Sequence, residues 1–212
     1  MVPGPLHAIV DVDAATHAGW APLDLACAYL DGGAPLLQLR AKQLASGPLL
    51  KLCDGIVQAA ARYNASIIVN DRADLAVLAN ASGVHVGQED LAPADARQLL
   101  GPAAIVGLST HTVAQIEAAV REPISYLAVG PVFGTRTKDT GYSAVGLHLV
   151  ATAARLAGSI PVVAIGGITL ETASSVLDAG ARSVAVIGDL LTRGTPQTRV
   201  AAYLQQLEQH RL

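Results

Sequence analysis

The stretch "LLQLRAK", residues 36–42, alternates Leu37, Leu39 and Ala41 with Gln38, Arg40 and Lys42. A period of two marks a strand, here with an amide and two cations along one face. Buried cations are costly unless paired or bound to an anion. That face therefore reads in two ways. Either Arg40 forms an internal salt bridge while Lys42 lies in solvent, or both line a pocket for an anionic substrate. Acidic residues follow in "VNDRADLAV" (69–77) and "HVGQEDLAP" (85–93). Alone, Asp71 is a natural helix N-cap, and Asp74 can pair with Arg72 or face solvent. Taken jointly, the two segments bring carboxylates to neighbouring strand ends with cations beside them. Mg²⁺ takes one or two protein carboxylates and completes its shell with substrate phosphate and water. A Mg²⁺–pyrophosphate site explains the pairing better than a lone cap does.

Phosphate chemistry is also legible further along. "GTRTKDTG" (134–141) sets the hydroxyls of Thr135 and Thr137, an Arg and a Lys between glycines, the groups a phosphate needs, although a solvated mobile loop has the same composition. "AIGGIT" (164–169) and "AVIGDL" (185–190) close two apolar runs with glycine. Such glycines either make plain turns or let backbone N–H groups approach a phosphate. His111, in "LSTHT", is either structural or a proton carrier. His7, His17, His85, His148 and His210 lack metal-ligand spacing, which argues against zinc.

These residues need elements to hold them. Strand candidates run at 6–11, 36–42, 66–70, 83–87, 104–109, 125–130, 160–166 and 182–188. Helical stretches at 48–63, 112–122 and 169–180 lie between them, the last opening on Thr169 as a candidate N-cap and ending on Gly180 as a candidate C-cap. Alternating strand and helix implies parallel strands joined by helical crossovers. Eight units in 212 residues is about 26 residues each, which fits a single-domain (β/α)₈ TIM barrel over residues 1–212. The rival, a doubly wound open sheet, needs a Gly-rich fingerprint after its first strand, and "DVDAATHAGW" has none. In a barrel, catalytic groups sit at the carboxyl ends of the strands. The polar residues collect there: Asp11; Gln38, Arg40 and Lys42; Asn70 and Asp71; Gln88, Glu89 and Asp90; Ser109 and His111; Thr135, Thr137 and Lys138. That asymmetry points to an enzyme.

Composition narrows the class. With 51% hydrophobic and 15% charged residues, the chain can bury a large core and is not disordered. A net charge of −3 argues against general nucleic-acid binding. No apolar run is long enough to span a bilayer, the N-terminal residues lack a signal-peptide pattern, and two cysteines cannot build a disulfide framework. A cytoplasmic protein is the expectation.

Seven segments in order, "LLQLRAK", "VNDRADLA", "GVHVGQEDL", "GLSTHT", "YLAVGPVFGTRTK", "PVVAIGGIT" and "GARSVAVIGDL", resemble the thiamin phosphate synthase (thiamine-phosphate pyrophosphorylase) family, over nearly the whole chain. The resemblance implies a Mg²⁺-requiring transferase. It would condense hydroxymethylpyrimidine diphosphate with a thiazole phosphate to thiamin monophosphate and pyrophosphate. Pyrophosphate leaves first, and the thiazole nitrogen captures the pyrimidine-methyl cation. It also implies Asp71 and Asp90 as Mg²⁺ ligands, with Gln38, Arg40, Lys42 and Asn70 around the pyrimidine diphosphate. Ser109 and Lys138 would face the diphosphate, Arg40, Ser109 and Lys138 acting as the catalytic set. Thr135, Thr137, Gly167, Ile187 and Gly188 would meet the thiazole phosphate. Gly188 stands where relatives often have Ser, and Gly134 where Pro is frequent; the start, "HAIVDVDAATHAGW", matches weakly. The implied partners are these small molecules, without nucleic acid or membrane, and a homo-oligomer stays open.

A thiazole tautomerase on a related barrel is the competing enzyme. It needs a phosphate site and a proton carrier, for which His111 is the candidate, but neither the paired carboxylates nor the cations. A catalytically inactive phosphate-sugar sensor is a third reading, and it leaves Asp71, Asp90 and Lys138 without a joint purpose.

Overall fold

Residues 4–134 and 143–210 are described by the computed structural model, and in them strands and helices alternate as the periodicity predicts. The strands are β1 (Leu6–Asp11), β2 (Leu36–Arg40), β3 (Ser66–Asn70), β4 (Gly83–Val86), β5 (Ile105–Thr110), β6 (Tyr126–Val129), β7 (Val162–Ile165) and β8 (Ser183–Val186). All pair in parallel in chain order, and β8 closes onto β1 through His7 opposite Ala185. Closure leaves no sheet edge and excludes the open doubly wound alternative.

Helices cover the outside: α1 (Val12–His17), α2 (Pro22–Asp31), α3 (Ser46–Ala60), α4 (Ala73–Leu78), α5 (Pro93–Leu100), α6 (Val113–Ala119), α7 (Gly146–Ala157), α8 (Leu170–Asp178) and α9 (Pro196–Gln209). The capping box at Thr169 and Thr172 starts α8 where the sequence places it. Its C-cap is Ala179, and Gly180 follows with φ +100°, so the glycine serves one position beyond the cap.

Five strands are shorter than their expected runs, β4, β6 and β8 by one to three residues at their ends, and in β2 and β7 the reasons are local. β2 ends at Arg40 rather than Lys42 because its partner β1 ends at Asp11, opposite Arg40. Ala41 and Lys42 then have no ladder to join. β7 starts after Pro161, which lacks a ladder donor, and ends at Ile165 because Gly166 and Gly167 take φ +104° and +62°.

Two apolar layers follow from the alternation. Leu37, Leu39, Val69, Val84, Val86 and Val106 face outward and pack with the helices in one continuous core. Ile9, Leu36, Ile68, Ile105, Tyr126 and Val163 fill the barrel interior. Each such side chain, fully buried, contributes about 1.5–3 kcal/mol. Gly107 keeps space inside: a Cβ there would come within 2.1 Å of the Tyr126 ring. Among the described residues no helix is long and apolar enough to cross a membrane.

Candidate active site

Because β2 presents Leu37 and Leu39 to the helices, Gln38 and Arg40 turn to the barrel axis. Arg40 forms an ion pair with Asp11, which is almost fully buried and also caps α1 by accepting from Ala14 N at 2.9 Å. The internal salt bridge anticipated for Arg40 is thus present, although Arg40 Nε stays buried without a partner. Lys42, beyond the strand end, is half exposed and pairs with the Asp71 carboxylate.

Asp71 is not a cap. The N-cap of α4 is Arg72, which has no side-chain cap bond, and Asp71 takes φ +64°. Its N–H donates to His85 O at 2.7 Å, and Arg72 N–H to Asn70 O at 2.8 Å, so the turn after β3 is pinned to β4. Arg72 is engaged with Asp74 at 2.6 Å. The Asp71 carboxyl points instead to the rim, where it meets both Lys42 and Asp90. Burial pushes its pKa up; Lys42 pulls it down, and the hydrogen-bonded Asp90 raises it further. Asp90 is held from its own side by Gly87 N–H at 2.8 Å, and Gln88 Nε2 donates to Ser109 O at 2.7 Å, tying this turn to β5.

Two carboxylates forced into contact beside one cation form a site that a divalent cation would relieve. Among the described residues no third His, Cys, Asp or Glu joins them. That donor set fits a hard cation taking two protein oxygens and the rest from substrate and water.

A buried polar chain crosses the interior below this cluster. Gln38 hydrogen-bonds the Tyr126 hydroxyl and lowers its pKa, against burial that raises it far more. The hydroxyl lies 2.8 Å from His85 Nδ1, and His85 Nε2 lies 2.8 Å from Ser109 Oγ. In the tautomer whose Nδ1 accepts from the Tyr126 O–H, Nε2 carries the proton and donates to Ser109 Oγ, which leaves the Ser109 hydroxyl hydrogen available to a ligand at the rim. His85 and Tyr126 were not singled out in the sequence. The available signal was phase: His85 alternates with outward-facing Val84 and Val86, so it must face inward.

The other half of the rim is a cleft of about 330 Å³ between the ends of β5 to β8. Ser109, His111, Gly130 and Pro131 form one side, and Gly166 to Thr169 with Ile187 to Asp189 form the other. His111 Nδ1 donates to Gly130 O at 2.5 Å. Gly167 has φ +62°, and a Cβ there would sit 2.5 Å from Gly134 O, so only glycine brings this backbone so close. Ser109, Gly167, Ile187 and Gly188 thus share the cleft. Gln38, Arg40, Lys42, Asn70, Asp71 and Asp90 come from the β2–β4 side of the rim, linked to it through His85. Thr135, Thr137 and Lys138 lie outside the described residues.

A sequence profile described as thiamine monophosphate synthase matches residues 6–190. The chain is 43% identical over 204 residues to the thiamine-phosphate synthase of Koribacter versatilis, covering 95% of each chain. It is 42% identical over 192 residues to the thiamine-phosphate synthase of Thermus thermophilus, covering 89% of this chain and 92% of that one. Among solved structures, thiamine phosphate pyrophosphorylase from Pyrococcus furiosus superposes with a TM-score of 0.86 at 27% identity, covering 97% and 96% of the two chains.

Proposed function

The chain belongs to the thiamine monophosphate synthase family, a family of transferases, and we propose that it joins hydroxymethylpyrimidine diphosphate to a thiazole phosphate, releasing thiamin monophosphate and pyrophosphate. The observation that carries this reading is the contact of Asp71 with Asp90 beside Lys42, on a rim that also holds a glycine-walled cleft. One side suits a diphosphate with its cation, the other a phosphate ester.

Asp71 and Asp90 are the residues that would hold Mg²⁺, which when bound supplies Lewis-acid neutralisation of the diphosphate charge. Lys42 adds a half-exposed cation; Arg40 contributes less because Asp11 already neutralises it. Gln38 and Asn70 offer amides for the pyrimidine. Ser109, oriented by His85, donates to the diphosphate. Backbone at Gly167, Ile187 and Gly188, with Thr135 and Thr137, receives the thiazole phosphate, and Lys138 stabilises the departing pyrophosphate.

The bond between the methylene carbon and the diphosphate oxygen breaks, its electron pair leaving with pyrophosphate. The lone pair of the thiazole nitrogen then forms the new carbon–nitrogen bond, and no proton has to move. Water must be excluded while the cation exists, a task for the apolar walls Pro131, Ile165 and Ile187. A cytoplasmic site is part of the reading, and the free thiols of Cys27 and Cys53 fit a reducing compartment.

Mixing the protein with both substrates, with and without Mg²⁺, tests the proposal. Thiamin monophosphate and pyrophosphate should form together and only with the metal. No coupled product would overturn the reading, and isomerisation of the thiazole alone would assign the tautomerase instead.

A further inference from the structure

Asp189 is a carboxylate in the wall of a cleft otherwise suited to an anion. It belongs to the 3₁₀ turn Gly188–Leu191 that follows β8. Its Oδ2 accepts three hydrogen bonds, from Leu170 N–H at 3.0 Å, Arg199 Nη2 at 2.7 Å and the Tyr203 hydroxyl at 2.5 Å. Arg199 Nε also donates to the Asp189 carbonyl at 3.3 Å. Leu170 opens α8, while Arg199 and Tyr203 are buried residues of α9. From α9, Gln206 Nε2 in turn donates to Leu170 O at 2.8 Å. One carboxylate thus joins the loop after β8 to the helix that follows the Gly166–Gly167 loop, and anchors both on the C-terminal helix.

The geometry matters because the two loops, after the adjacent strands β7 and β8, together form one wall of the cleft. Their amides serve one phosphate only if they converge within hydrogen-bond tolerance. We propose that Asp189 is a positioning residue for the phosphate-ester substrate, its ties to Leu170, Arg199 and Tyr203 fixing the Gly167 and Gly188 loops at the spacing one phosphate requires. Arg199, 2.7 Å away, cancels the carboxylate's charge so that it does not repel the ligand. The inference rests on reading the cleft as a phosphate site.

Electrostatics alone makes the opposite prediction. Asp189→Asn removes a negative charge from the cleft wall and leaves Arg199 cationic, so a purely coulombic role would tighten phosphate binding. Positioning requires it to weaken. Calorimetric titration with inorganic phosphate should show affinity reduced about tenfold in Asp189→Asn and about threefold in Tyr203→Phe. KM for the thiazole phosphate should rise in parallel, while kcat and the KM for the pyrimidine diphosphate stay within about twofold. Circular dichroism melting checks that each variant folds, and Tyr203→Phe, lacking one hydroxyl, carries the test if Asp189→Asn does not. Unchanged or tighter phosphate binding in a folded variant overturns the proposal, as does wild-type protein that binds no phosphate. Wild-type protein that binds phosphate but makes no thiamin monophosphate overturns the functional reading and leaves the positioning role standing.

Discussion

Asp71 carries three features that each lower stability: a left-handed backbone with φ +64°, partial burial of a carboxylate, and a second carboxylate in contact. Among the described residues the ion pair with Lys42 and the backbone bond to His85 O oppose them, and half-exposed pairs contribute about 1 kcal/mol or less. Strain of this kind persists where surrounding structure imposes it, often at functional sites. Asp71→Asn keeps the shape, tolerates the left-handed backbone and removes the repulsion with Asp90. Its melting midpoint should stay equal or rise by about 1–3 °C, while turnover at fixed Mg²⁺ falls at least about tenfold and partly recovers at higher Mg²⁺. A variant that melts several degrees lower yet keeps its activity and Mg²⁺ dependence would remove Asp71 from the site. The sequence offered two roles for this residue, cap or ligand. The choice required knowing that the α4 cap falls on Arg72 and that the β4 turn delivers Asp90, and neither is encoded in spacing along one segment.

Elements were more legible than sites, because alternation and punctuation are local while a site is assembled across strands. The phase of "LLQLRAK" alone put Gln38 and Arg40 inside the barrel. The chain from Gln38 through Tyr126 and His85 to Ser109 was not legible, since it depends on the registers of β2, β4, β5 and β6 at once. The loop after β7 shows the reverse case, where a local signal specifies the element's job. Its two glycines could have been ordinary turn residues. The contact of a Gly167 Cβ with Gly134 O at 2.5 Å and Phe133 Cβ at 2.8 Å makes that loop intolerant of any side chain. Gly167→Ala should therefore displace the loop, costing about 1–2 kcal/mol or more of stability and raising KM for the phosphate co-substrate more than it lowers kcat. Gly47→Ala is the matched control: it lies in the first turn of α3 with nothing within 4 Å of the added Cβ, and should be neutral or slightly stabilising. Equal effects from the two substitutions would refute the assigned constraint.

At the scale of the whole molecule, the closed barrel buries polar groups that an open sheet could have left wet. His7 on β1 is fully enclosed, packed edge-on against Tyr126 at 5.1 Å between ring centroids, with neither ring nitrogen hydrogen-bonded. Burial lowers its pKa from 6.5 to about 3, so the folded barrel holds it neutral. In the unfolded chain the same imidazole takes up a proton near pH 6.5. Between these values the unfolded state binds more protons, so stability rises with pH there. His7's contribution is complete above about pH 6.5 and is lost on acidification, by up to about 1.4 kcal/mol per pH unit down to about pH 3. His7→Phe keeps a ring against Tyr126 and removes both the titration and the unsatisfied nitrogens. In urea unfolding at pH 7, 6, 5 and 4, the variant should be at least as stable as wild type at pH 7. Its advantage should widen steadily as the pH falls, since every other titrating group is common to both proteins. A stability difference that stays constant across that range would mean that His7 reaches solvent and takes up its proton in the folded barrel.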